Sequence, residues 1–325
     1  MFTSRIISIY FFLLKTDLSE VLYKERGYTR EDKHLTQNFF IGVDGGATKC
    51  TIRLEDESGR LLGQAISGTA NIRISVDETW QSINSALNQL LKPNGLNLEQ
   101  HQFHVGMGLA GCEVAEAYKS FIDHNHQFHT LIVSSDAHTA CLGAHKGGDG
   151  AIINIGTGTV GFAIHEGKII KVSGWGFPHD DEGGGAWLGL QAVKMTLQSL
   201  DGRLPMYSLA KAIFGHFGDD QERLVSFANQ ANSSAFASLT PFVIRCAQSG
   251  DKQCASLLHE AAFAIDKLGQ ALFKSCPLNL PCVLIGGVAP FLEPYLGKDL
   301  HRRLSPCQAS PDVGAVMLVK QHLSG

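Results

Sequence analysis

The 325 residues exceed what one small core organises and suit two domains, and the mix of 18% charged and 44% hydrophobic side chains is that of an ordinary globular protein rather than a disordered or membrane-embedded one. A formal net charge of −4 offers no bulk attraction to nucleic acid or to an acidic membrane surface. None of the eight cysteines forms a C-x-x-C pair, so the spacing argues against zinc or an iron–sulfur cluster and favours free thiols in a reducing, cytoplasmic setting.

Residues 1–38 stand apart. The stretch IISIYFFLL between Arg5 and Lys15 is too short to span a bilayer. No small-residue cleavage site follows it, only the charged KERGYTREDKH. It reads as a dispensable, poorly ordered extension, with an interfacial anchor as the alternative. Next, FFIGV (39–43) predicts a strand that stops at Asp44-Gly45-Gly46, followed by a return strand over 49–55, a turn at DESG and a third strand in RLLGQAISG. Val76, Trp80, Ile83, Leu87 and Leu90 recur at helical spacing, the core face of a helix. FHVGMGLAG (103–111) predicts a strand entering a glycine loop, and EVAEAYKSFI a helix. The histidine-bearing DHNHQFH (123–129) reads as solvated surface. TLIVSSDAHTACLGAH (130–145) predicts a buried strand, then a helix beginning near Asp136.

The pattern then repeats. AIINI, Gly156-Thr157-Gly158, VGFAI, a turn at HEG and KIIKVSG reproduce strand, glycine turn, strand, turn, strand, and both copies close on Ser-Gly. Such repetition predicts two similar α/β halves. Residues 186–275 are helical in pattern, PCVLIGGVAPFL (281–292) is a further strand, glycine pair and helix, and 312–323 a final helix. The expected division is 39–146, joined by the helix 312–323, and 147–311.

A strand followed by a glycine turn lines up backbone N–H groups in a concave row that accepts phosphate oxygens, with no Cβ to block the approach. Thr48 and Lys49 add a hydroxyl and a cation. Asp44 would repel a phosphate, and makes sense if Mg²⁺, reached through water, lies between them. Two such turns and a third at Gly286-Gly287 point to a nucleotide; a Walker A run is absent, which excludes a P-loop protein. Asp136, at a strand end, suits either a general base or the N-cap of its helix. Within GWGFPHDDEGGGAWLG (174–189), glycines, acids and Trp175 could hold sugar hydroxyls and a ring face, or form a long loop before a helix capped by acids. Asn71 is a turn residue or a hydroxyl ligand.

The segments VDGGATK, SGTANI, HVGMGLAG, SSDAHTACLGAH, GTGTVG, GWGFPHDDEGGGA and GGVA occur in the order seen in the BadF/BadG/BcrA/BcrD ATPase family, and from residue 39 onward the chain resembles that family's bacterial glucosamine and N-acetylglucosamine kinases. The resemblance implies two RNase H-like lobes of the actin, Hsp70 and sugar-kinase superfold closing on an ATP and sugar cleft. It implies ATP and Mg²⁺ at Asp44, Gly45, Gly46, Thr48, Lys49, Gly156, Thr157, Gly158 and Thr159, with Gly286 and Gly287 near the adenosine. It assigns Asp136 as the base that deprotonates the sugar 6-hydroxyl, and Asn71, Gly174, Trp175, Gly176 and Asp181 as sugar contacts. The partners expected are ATP and an amino sugar, in a homodimer without nucleic acid or membrane. Two departures bear on the sugar: Val160 stands where mammalian N-acetylglucosamine kinases carry Asn, and Arg73 where they carry an aromatic nearby. The competing reading is an ATP-driven activator of a radical 2-hydroxyacyl-CoA dehydratase, with Cys112 or Cys141 near a shared [4Fe–4S] cluster; a silent sugar sensor is disfavoured by the intact Asp44, Asp136 and glycine turns.

Overall fold

A computed structural model describes residues 37–274, 276–277 and 279–324, so the extension expected before residue 39 lies outside the described residues except for Gln37 and Asn38. The described chain forms two compact units, one running to Gly147 and resuming at Ala309, the other Gly148–Gln308.

In the first unit, strands β1 (Asn38–Gly45), β2 (Cys50–Asp56), β3 (Leu61–Ser67), β4 (Gln102–Leu109) and β5 (Thr130–Ser135) make one sheet in the order β3-β2-β1-β4-β5. The first three form an antiparallel meander, and β4 and β5 run parallel to β1. Parallel neighbours require crossovers, supplied by the helices Val76–Leu91 and Ala115–Ile122. The helical stripe expected from sequence is buried at Trp80, Ile83, Leu87 and Leu90, and packs with Phe39, Ile41 and Val43 of β1. Its first turn is capped by Ser75, whose hydroxyl accepts from the Glu78 amide at 3.1 Å.

Side chains alternate across a strand, so Gly42 and Asp44 point to the other face. There the last helix, Pro311–Ser324, lies almost on the backbone: a methyl group at Gly42 would overlap the Asp312 carbonyl oxygen, and one at Gly106 that of Ala315. The helix Asp136–Ala144 packs beside it just as closely, since a methyl at Gly314 would overlap the Thr139 carbonyl oxygen.

The second unit repeats the plan. Strands β6 (Gly150–Ile155), β7 (Thr159–His165), β8 (Lys168–Ser173) and β9 (Cys282–Ile285) are ordered β8-β7-β6-β9, the order of the first four strands of the other sheet, with β9 parallel to β6 and the rest antiparallel. Helices from Gly185 to Phe273 separate β8 from β9 and carry a separate core around Ile153, Ile155, Leu188 and Ile265.

One boundary differs from the sequence reading. β1 does not stop at Asp44 but continues through Gly45, because both flanks still offer ladder partners: Asp44 faces Thr51 and Gly108, and Gly45 faces Cys50 and Leu109. The turn proper is Gly46–Lys49, closed by the Gly46 amide on the Lys49 carbonyl at 3.0 Å. Among the described residues no helix is long and apolar enough to cross a membrane.

Candidate active site

In the first unit the chemistry gathers at the carboxyl ends of β1, β4 and β5. The glycine turn is tied to its neighbours by backbone bonds from Ala110 to Gly45 at 2.8 Å and from Ala70 to Gly46 at 2.9 Å. The two glycines differ in purpose. A Cβ at Gly45 would press on Leu109 and Ala70, so this glycine serves packing; one at Gly46 would meet only the Lys49 carbonyl, at 3.7 Å, so space remains beside this glycine. Thr48 and Lys49 are exposed beside it. Asn71 is brought to the same end by its bridge to Ala110, and its Oδ1 accepts from the Arg73 amide at 3.1 Å in a local turn.

Asp136 opens its helix but does not cap it. The cap is Ser135, whose hydroxyl accepts from the His138 amide at 3.2 Å, while Asp136 Oδ1 accepts from the next amide, Ala137, at 2.8 Å. Asp44 is largely buried on the same side. Burial first, then the neighbouring carboxylates Asp136 and Asp312, push it up to about 6, and the Lys49 ammonium pulls the other way. Asp312 is the residue that sequence reasoning missed. It is 2% exposed and accepts from Gln64 Nε2 at 2.8 Å. In sequence it looks like any acid in the first turn of a helix, and only the fold brings it to Asp44. This surplus of negative charge fits a divalent cation. Among the described residues no three His, Cys, Asp or Glu side chains converge as ligands, so such a cation needs phosphate oxygens and water to complete its shell.

In the second unit the turn Gly156–Gly158 hands its carbonyls to the helix Gly185–Leu200: the Gly185 amide donates to Gly156 and the Ala186 amide to Thr157, each at 2.8 Å. The triple glycine is therefore a docking surface, and the helix is capped by Gly184 rather than by the acids before it. Asp181 is buried with φ 72°, and its Oδ1 accepts from the Thr159 amide at 3.2 Å over Gly158. Burial holds its carboxyl above the ordinary range, against the pull of that amide. The Thr159 amide, expected on phosphate, is thus engaged by the acid expected on sugar. The Gly286-Gly287 turn joins the group through the Val288 amide on the Ile155 carbonyl at 3.0 Å. A Cβ at Gly286 would overlap that carbonyl, whereas Gly287 faces open space. Gly174, Trp175 and Gly176 follow directly on β8, with Trp175 69% exposed. Val160 lies against this turn, 3.1 Å from where a Cβ of Gly174 would sit.

Twin sheets of this order, each ending in a glycine turn, define a two-lobe ATPase fold of the sugar-kinase type. The chain belongs to the BadF/BadG/BcrA/BcrD ATPase family, which it matches over residues 41–318. It is 32% identical to the glucosamine kinase GspK of Vibrio cholerae, over 86% of this chain and 95% of that one. It is 28% identical to the N-acetylmuramic acid/N-acetylglucosamine kinase of Clostridium acetobutylicum, over 69% and 76%. Among solved structures, a candidate N-acetylglucosamine kinase from Chromobacterium violaceum superimposes with a TM-score of 0.81 at 31% identity, covering 86% of this chain and 98% of that one.

Proposed function

We propose that the protein is a sugar kinase that transfers the γ-phosphoryl group of ATP to the 6-hydroxyl of N-acetylglucosamine, of glucosamine, or of both. The observation that carries this reading is the disposition of Asp136: a carboxylate at the head of a helix that Ser135 caps, set beside Asp44 near the end of β1, in a chain whose relatives over nearly their whole length are named for amino-sugar phosphorylation.

In this reading Asp136 accepts the proton of the acceptor hydroxyl as its oxygen bonds to the γ-phosphorus and the bond to ADP breaks. The Ala137 amide orients the carboxylate. The glycine turns are read as the nucleotide's neighbours: Gly46, Gly156 and Gly287 each leave room where a Cβ would stand, while Gly45, Gly158 and Gly286 are consumed by packing that holds their turns in shape. Mg²⁺ bound with ATP would be oriented by Asp44 through water and would neutralise charge on the transferring phosphoryl group. Asn71, Trp175 and Asp181 are read as the sugar's neighbours.

The dehydratase-activator alternative needs thiolates, and the cysteines do not favour them. Cys112 donates to the Ser134 carbonyl at 3.2 Å, and burial pushes its thiol up to about 12. Cys141 is buried within its helix. The test is ADP release measured in parallel with glucosamine, N-acetylglucosamine, N-acetylmannosamine and glucose. Turnover with at least one of the first two is expected; no stimulation by any of the four overturns the proposal.

A further inference from the structure

The turn after β8 is built in an expensive way. Ser173, Gly174 and Gly176 all lie in the left-handed region, at φ 66°, 80° and 99°. For serine that conformation is unfavourable and needs compensation from its surroundings. Between the two glycines Trp175 is 69% exposed.

One side chain closes this turn. Asp180 Oδ2 accepts from the Ser173 hydroxyl and from the Trp175 amide, both at 2.8 Å. The same Ser173 hydroxyl lies 3.3 Å from the Thr159 carbonyl oxygen, and Ser173 stands opposite Val160 in the ladder. The next residue, Asp181, reaches the Thr159 amide from the other side. Two consecutive acids thus divide the work, Asp181 gripping the second glycine turn and Asp180 gripping the turn that carries the indole. Charge-assisted bonds to a backbone amide and a hydroxyl are among the stronger hydrogen bonds in proteins.

We infer that Asp180 is a positioning residue for the acceptor: by fixing the backbone of Ser173–Trp175 it presents the exposed Trp175 ring, preorganised, to the apolar face of the amino sugar. This rests on the amino-sugar kinase reading above. Preorganisation lowers the ordering cost of binding, so losing Asp180 should weaken the sugar's binding and leave the nucleotide's alone.

The experiment compares the wild type with Asp180→Ala, Asp180→Asn, Trp175→Ala and the double variant Asp180→Ala/Trp175→Ala. Asp180→Ala should raise KM for the preferred amino sugar about tenfold, the scale of a lost charged hydrogen bond, while kcat and KM for ATP change less than about threefold. Asp180→Asn keeps a carbonyl acceptor and should recover most of the loss. In the Trp175→Ala background, Asp180→Ala should add less than about twofold, because the residue acts through the indole. Independent, multiplying effects in the two backgrounds, or an equal rise in both KM values, overturn the inference. A readout free of activity separates it from the parent reading. Hydrogen exchange of the segment 173–177 should quicken about tenfold or more in Asp180→Ala, with β6 unchanged. If the wild type phosphorylates no amino sugar, the functional reading falls, and with it the sugar-positioning role. If the wild type is active but Asp180→Ala leaves the exchange and the sugar KM unaltered, only the Asp180 inference falls.

Discussion

The helix that Asp136 begins is capped by Ser135 and not by Asp136. A capping role would make Asn an adequate replacement, since Asn caps as well as Asp. A base cannot be replaced that way. Asp136→Asn should therefore lower kcat by about 10²- to 10⁴-fold while the variant still binds sugar and ATP in calorimetric titrations. Retention of most activity would reduce Asp136 to a local backbone acceptor. Asp44 permits a second test, this one with a sign. Burial and two neighbouring acids hold its folded-state pKa at about 6, above the ordinary carboxylate value it would have unfolded. Above pH 6 the folded protein thus carries a charge that the unfolded chain would hold more cheaply in water, and the penalty fades as pH falls through 6 toward 4. Asp44→Asn should consequently stabilise the ligand-free protein at pH 8 by up to about 3 kcal/mol, with most of the gain gone near pH 4, as read from urea midpoints. The same variant should turn over more slowly and need more Mg²⁺ for half-maximal rate. A variant that is no more stable at pH 8 would show that Asp44 is better solvated or paired than its surroundings indicate.

The helix Pro311–Ser324 shows why part of the site was hidden from the sequence. Its periodicity predicts a helix and nothing more. Gly42, Gly106 and Gly314 read as unremarkable glycines in strands or helices, yet they let this helix sit on β1 and β4 and against Asp136–Ala144. That close approach is what brings Asp312 to Asp44, a meeting between the two ends of the chain that no local pattern encodes. The strand–turn–strand units, by contrast, were legible, because alternating apolar residues and turn glycines are local signals and appear twice. The extent of β1 through Asp44 and Gly45 was not, since it depends on ladder partners in β2 and β4. The cap at Ser135 and the clasp formed by Asp180 were likewise hidden by adjacency: in Ser-Asp and Asp-Asp pairs, sequence alone does not say which side chain takes which duty. The packing argument predicts that Gly314→Ala, whose methyl would strike the Thr139 carbonyl and sit 2.5 Å from the Gly143 amide nitrogen, costs about 2–3 kcal/mol by overpacking and depresses turnover by displacing the helix that bears Asp136. An unchanged denaturation midpoint would mean that the two helices separate more easily than their contact suggests.

At the level of the whole molecule, the two units share a strand order. Of the residues proposed as the sugar's neighbours, Asn71 and Asp136 belong to one unit and Trp175 and Asp181 to the other. What faces the sugar's 2-position decides between an acetamido group and a free amine. A site that hydrogen-bonds the acetamide rejects analogues lacking it strongly, whereas an apolar surface discriminates weakly. Val160 lies against the Gly174 turn and offers no hydrogen bond. Arg73 is exposed, and its amide is engaged by Asn71. Val160 supplies no polar contact for the acetamide, and neither residue supplies a carboxylate for a protonated amine. The relatives are named for both kinds of acceptor, glucosamine in one and N-acetylglucosamine in another. Both sugars should therefore be phosphorylated, with kcat/KM values within about 10² of each other. The preference should fall toward N-acetylglucosamine, whose acetamido methyl adds apolar surface that the exposed Trp175 ring could cover. Parallel kcat/KM measurements decide the matter: a ratio above about 10³ in either direction would require a dedicated polar partner at the 2-position.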